Sequence, residues 1–231
     1  MISSKIGIIT ATEFELTPFL NKMTVTQTTT KAMLQIHEGL YNDIPIVSAF
    51  CGVCKVNAAI AAQVLISTYD VSKVIMIGVA GAINSKLKIL DTVVSNEIVY
   101  HDVADEVLTH YHPWMEHPYF LADQALLNQV VTSNAGDETV LVGKMVTGEA
   151  FIDQDGREQI IEKYNPQCVD METASVAHVC YVNHIPFVAI RSMSDTPQES
   201  GNSNFAKYAS AAAEKSVQVL CRYLDTISKS A

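Results

Sequence analysis

The runs at 5–9, 73–77 and 186–190 are almost wholly apolar, each only a few residues long and each followed by a change of pattern. A short run without polar alternation describes a strand covered on both faces, because a half-exposed strand would show every second residue polar. Further strands are expected at 33–37, 44–50, 92–95 with 97–100, 139–146 and 167–169. Helical patterns fall between them at 56–68, 123–132 and 157–164, after Asp170 with Glu172 in the first turn, and at 205–228. Strands alternating with helices predict an α/β fold with helices on both faces of the sheet. No repeat, linker or low-complexity tract divides the 231 residues, so one domain over 1–231 is expected.

Acids gather where these strands end. Asp170 and Glu172 stand in Val169-Asp170-Met171-Glu172, at a strand-to-helix junction where helix amides favour negative charge. Asp195 closes the stretch after 186–190, and Glu13 and Glu15 follow the first strand. In open α/β sheets ligands bind at the carboxyl ends of strands. One such acid is usually a helix cap, but three separate strand ends bearing acids suggest an acid/base site. Thr10 with Glu13 fits a capping box, which gives Glu13 a structural duty and leaves Glu15 as the better candidate for chemistry.

The remaining signals exclude more than they assign. A net charge of −10 with no basic block argues against a nucleic-acid backbone as partner. No apolar run approaches the ~18 residues that would suggest a membrane span. Met1-Ile2-Ser3-Ser4-Lys5 runs straight into a strand without a secretory segment. The five cysteines look like reduced thiols, so a cytoplasmic protein is expected. Cys51-x-x-Cys54 has redox spacing but lacks a second pair for zinc, and two inert buried thiols are the expectation. Gly78 to Ala82 is a site wall or a tight turn, lacking the third glycine of a dinucleotide fingerprint. His110, His112 and His117 have no regular ligand spacing, and 103–121 is read as a loop that closes a pocket or packs on a partner subunit. Phe151 is either a stacking face for a flat base or part of the core.

In order along the chain stand Gly7-Ile8-Ile9 with Glu13-x-Glu15, Gly78-x-Ala80-Gly81, Tyr100-His101-Asp102, Thr147-Gly148-Glu149-Ala150-Phe151-Ile152, Val169-Asp170-Met171-Glu172 and Arg191-x-Met193-Ser194-Asp195. Together they resemble the 5′-methylthioadenosine/S-adenosylhomocysteine nucleosidase family of the purine nucleoside phosphorylase superfamily. The resemblance implies a three-layer α/β/α fold around a mixed, partly barrel-like sheet, a homodimer, and no metal or cofactor. It implies hydrolysis of the N-glycosidic bond of a small nucleoside, releasing adenine and a 5-substituted ribose in methionine salvage. Glu15 would activate water, and Asp195, held by Ser194, would protonate adenine at N7. Glu172 and Met171 would bind the ribose, Phe151 would stack on adenine, and the Ile152 backbone would read its edge. Ala80, Gly81 and Phe205 would complete the substrate site.

The chain departs from the family pattern in places. Thr10 stands where a glycine is usual, Phe14 where a third acid is common, and Val79 where serine is common. The 103–121 segment lacks the aromatic and glycine pattern that helps form the family's 5′-alkylthio pocket. A phosphate-dependent phosphorylase and a nucleoside-binding protein without turnover are the alternatives. Val79 favours water over phosphate, since phosphate asks for hydroxyl and arginine donors.

Overall fold

The structure is a computed structural model and describes residues 4–152, 156–196 and 202–229. The chain opens with β1 (Lys5–Thr10) and α1 (Glu13–Leu20), then β2 (Thr24–Lys31), β3 (Leu34–Tyr41) and β4 (Ile44–Phe50). Helix α2 (Lys55–Tyr69) leads to β5 (Val71–Ala82) and β6 (Thr92–Tyr100). Then come α3 (Asp105–His110), β7 (Phe120–Leu121), α4 (Gln124–Ser133) and β8 (Val140–Thr147). The chain closes with α5 (Arg157–Tyr164), β9 (Cys168–Asp170), α6 (Thr173–Val182), β10 (Phe187–Asp195) and α7 (Asn202–Ser228).

The sheet is mixed and partly closed. β1 lies between β4 and β5, parallel to both. β10 runs parallel to β5, and β6 runs antiparallel to β10. β8 is parallel to β6, β9 is parallel to β8, and β9 returns to β5 through Gly81–Val169 and Ala82–Cys168. The circuit β5-β10-β6-β8-β9 is therefore a ring, with β1, β4, β3 and β2 extending from it as an open sheet.

The apolar runs are continuous because both faces are covered. On β5, Val74 and Met76 face a core shared with Ala58, Ala61, Ala62 and Leu65 of α2 and Val176 and Ala177 of α6. Ile75 and Ile77 face the opposite core, with Leu16 and Phe19 of α1, Leu127 and Val130 of α4, and Leu220 and Leu224 of α7. Each fully buried side chain of this kind contributes ~1.5–3 kcal/mol, so the two cores carry most of the folding energy. The expected three layers are present.

Two details differ from expectation, and a third decides between two expected alternatives. β2 escapes the sequence pattern because its Thr-rich stretch is exposed along nearly its whole length and has no apolar face to signal it. The 103–121 segment is not loop alone, since it holds α3 and the short β7, which pairs with β6. Gly78 to Ala82 continues β5 rather than turning, so it is a wall. Among the described residues no helix is long and apolar enough to cross a membrane.

Candidate active site

The carboxyl ends of β1, β5, β9 and β10 surround a cleft of about 240 Å³. Its lining includes every expected site residue: Glu15 and Asp195, Ala80 and Gly81, Phe151 and Ile152, Met171 and Glu172, Ser194 and Phe205. Phe14 joins them, its ring edge-on to Phe205 at 6.4 Å, and Phe205 is edge-on to Phe151 at the same distance. Phe151 is 44% exposed, so it lies on the cleft wall and not in the core.

Glu15 occupies the first turn of α1 and is buried. The helix begins at Thr12, not at Thr10, which is still in β1. The capping carboxylate is accordingly Glu15. Its Oε2 accepts from the Thr12 backbone N–H at 2.7 Å and from the Thr12 hydroxyl at 2.8 Å. The expectation that Glu13 caps and Glu15 has no structural duty is thus reversed. Oε1 accepts from the Val79 N–H at 2.9 Å and lies 3.6 Å from Arg191 Nη1. Both oxygens are oriented, one from the helix start and one from β5.

That arrangement requires glycine at 78, whose φ is +142°. A Cβ there would sit 2.6 Å from Arg191 Nη1 and would overlap Glu15 Oε1. Both obstacles are fully buried, so neither can swing aside. Gly78→Ala is expected to lose ~1–3 kcal/mol through backbone strain alone, and more through displaced charges. A urea-unfolding midpoint equal to that of the unaltered protein would contradict this.

Arg191, on β10 and wholly buried, is the centre of the charge cluster. Its Nη2 lies 2.8 Å from Asp170 Oδ2 and 3.3 Å from Glu172 Oε2. Nε donates to the Thr173 hydroxyl at 3.2 Å, and that hydroxyl bonds Asp170. Asp170 also accepts from the Thr147 hydroxyl at 2.6 Å, which ties β8 to β9. Glu172 accepts from the Cys54 N–H at 2.9 Å. Burial pushes the Glu172 carboxyl up to about 7, with Arg191 opposing and Asp170 and Glu15 adding to the rise. One buried cation faces three buried acids, and a raised Glu172 pKa eases that imbalance.

Asp195 is presented by an irregularity in β10. The ladder to β5 runs Met193–Ala80 and then Asp195–Gly81, leaving Ser194 as an extra residue. The bulge breaks strand alternation, so Ser194 and Asp195 both face the cleft. The Ser194 hydroxyl donates to Asp195 Oδ1 at 2.9 Å. A Cβ at Gly81 would lie 2.9 Å from Asp195 Oδ2, so glycine lets the acid lie against β5.

The central role of Arg191 was not read from the sequence. Its one signal is a lone cation in an otherwise buried strand, which has to be paired. The Cys51 and Cys54 thiols are free, Cys51 buried and Cys54 half-buried at the start of α2. His110, His112 and His117 form no cluster that could hold a metal, nor does any other group among the described residues.

Residues 5–225 match the Phosphorylase superfamily. The chain is 31% identical to the 5′-methylthioadenosine/S-adenosylhomocysteine nucleosidase of Staphylococcus haemolyticus, over 93% of this chain and 96% of the relative. It belongs to that nucleosidase family. Among solved structures, S-adenosylhomocysteine nucleosidase from Streptococcus pyogenes, in complex with 5-methylthiotubericidin, overlays this nucleosidase-family chain with a TM-score of 0.90. That pair is 28% identical, covering 98% of each chain. Futalosine hydrolase of Helicobacter pylori overlays with a TM-score of 0.89 at 27% identity, covering 97% of this chain and 99% of that one. Backbone similarity does not separate these two specificities.

Proposed function

We propose that the protein hydrolyses the N-glycosidic bond of 5′-methylthioadenosine, S-adenosylhomocysteine or a related 5′-modified adenosine, releasing adenine and a 5-substituted ribose. The observation that carries this reading is the meeting of Glu15, Glu172 and Asp195 on one cleft beside the flat face of Phe151. Asp195, as the acid, gives a proton to adenine N7 while the bond from C1′ to N9 breaks. The ribose gains oxocarbenium character, which nearby carboxylates stabilise. Glu15 takes a proton from water as the water oxygen bonds C1′. Glu172 accepts from the ribose hydroxyls beside Met171, Phe151 stacks on adenine, and the Ile152 backbone reads its edge. Ala80, Gly81 and Phe205 wall the substrate in.

Electrostatics favour water over phosphate. Among the described residues lining the cleft there is no Lys or Arg, and Arg191 is occupied by three carboxylates. A phosphate ion would enter a ring of acids. In the same reading the protein works in the cytoplasm as a homodimer. Its free cysteines suit a reducing compartment. Exposed Val56 and Ile60, a turn apart on α2, with Tyr111 and Trp114 beyond α3, suit a subunit contact.

The test measures base release from methylthioadenosine, adenosylhomocysteine, 5′-deoxyadenosine and futalosine, each with and without phosphate. Adenine release independent of phosphate is expected. A requirement for phosphate would make the protein a phosphorylase, and base release from futalosine alone would move the substrate. Binding without any release would leave a receptor.

A further inference from the structure

Two stretches that the proposed chemistry leaves unused, Tyr100-His101-Asp102 and Glu149, meet at the start of α2. The Glu149 N–H donates to Asp102 Oδ2 at 2.8 Å. Its side-chain Oε1 accepts from the Lys55 N–H at 3.2 Å, in the first turn of α2. Its carbonyl lies 3.9 Å from the Cys54 thiol. All three polar groups of one residue are therefore engaged, although Glu149 is exposed.

The partners are themselves fixed. Lys55 Nζ grips both Asp102 oxygens, at 2.9 and 2.8 Å. Burial pushes the Asp102 carboxyl up, but the Lys55 ammonium and the Glu149 N–H outweigh it and hold the group below its usual range. The His101 ring packs on Gly148 so closely that a Cβ at 148 would overlap Nε2. The His101 N–H donates to the Thr147 carbonyl at 3.0 Å, and the Gly148 N–H to the Asp170 carbonyl at 3.2 Å.

The next residues, Ala150 to Ile152, line the cleft. We propose that Glu149 is a positioning residue which, with Asp102 and Lys55, docks the 148–152 stretch on the start of α2 and so fixes the base-binding wall. The inference rests on the proposed adenine site. The consecutive N–H groups of Cys54 and Lys55 hold Glu172 and Glu149 respectively, so the ribose-side acid and the base-side wall share one anchor. The positive end of the α2 dipole suits both carboxylates. Because Glu149 is exposed, its contacts add little to the core, and the order they impose falls on the loop.

The experiment compares full-length protein with Glu149→Ala, Asp102→Ala and the double variant, by initial rates on methylthioadenosine and by calorimetry with free adenine. Each single change should raise KM and the adenine Kd roughly tenfold, the scale of a lost charge-assisted hydrogen bond. kcat should change no more than about threefold, because the reacting groups are untouched. The double variant should be no worse than the poorer single one, since both changes free the same stretch. Glu149→Gln, which keeps the acceptor for the Lys55 N–H, should recover most of the loss. Unchanged KM and adenine affinity, or losses that multiply in the double variant, would overturn the clamp. If the unaltered protein binds adenine but releases none, the hydrolase reading fails while calorimetry still tests the clamp. If it binds no adenine, both fall.

Discussion

Arg191→Met is expected to lose ~3–5 kcal/mol of stability, the cost of removing one partner from a buried ion pair. That is a large share of the ~5–15 kcal/mol by which a folded domain exceeds its unfolded state. Methionine fills comparable volume but leaves Asp170, Glu172 and Glu15 facing one another without a cation, all three buried. Arg191→Lys is also expected to be damaging. The guanidinium reaches Glu15 from Nη1 and both Asp170 and Glu172 from Nη2, while Nε holds Thr173, and an ammonium has no such fork. Urea titration of the two variants measures the loss. A methionine variant within ~1 kcal/mol of the unaltered protein would mean that the acids protonate or separate at little cost.

Asp195→Asn is expected to lower the rate of adenine release by ~10²–10⁴-fold, the usual range for general acid catalysis. The amide matches the carboxyl in shape, so it should fit beside Gly81 and still accept from the Ser194 hydroxyl. It cannot deliver a proton to the leaving base. Stability and nucleoside binding should stay near those of the unaltered protein, which separates this defect from that of Arg191→Met. Single-turnover measurement with methylthioadenosine isolates the bond-breaking step. A variant retaining more than a tenth of the rate would remove Asp195 from the role of acid.

The layers of the fold were legible because β1, β5 and β10 are covered on both faces, which a sequence records as unbroken apolar runs. β2 was not, since an exposed strand of threonines needs no apolar residue. The start of α1 shows a subtler limit. Thr10-Ala11-Thr12-Glu13-Phe14-Glu15 contains two overlapping capping boxes, and local spacing cannot choose between them. The choice is made by the Val79 N–H and Arg191, which arrive from β5 and β10 and hold Glu15 where the second box puts it. The bulge at Ser194 was equally hidden, because it depends on how β10 meets β5. The resemblance gathered the cleft-lining residues and included Arg191 in one of its motifs without giving it a role, because its partners all lie on other elements.

The joint that closes the ring of strands has only two registered pairs, Gly81–Val169 and Ala82–Cys168. It joins segments far apart in sequence, and such pairings form slowly because the intervening chain must first be ordered. Beside the joint stand Asp170 and Glu172, which have no fixed place until β9 has docked. A refolding chain can therefore bury most of both apolar cores, and show the spectroscopic signals that follow them, before Cys168 of β9 completes one core and the cleft exists. Recovery of turnover is then the faithful clock for completed folding, and it should lag behind burial of the core aromatics.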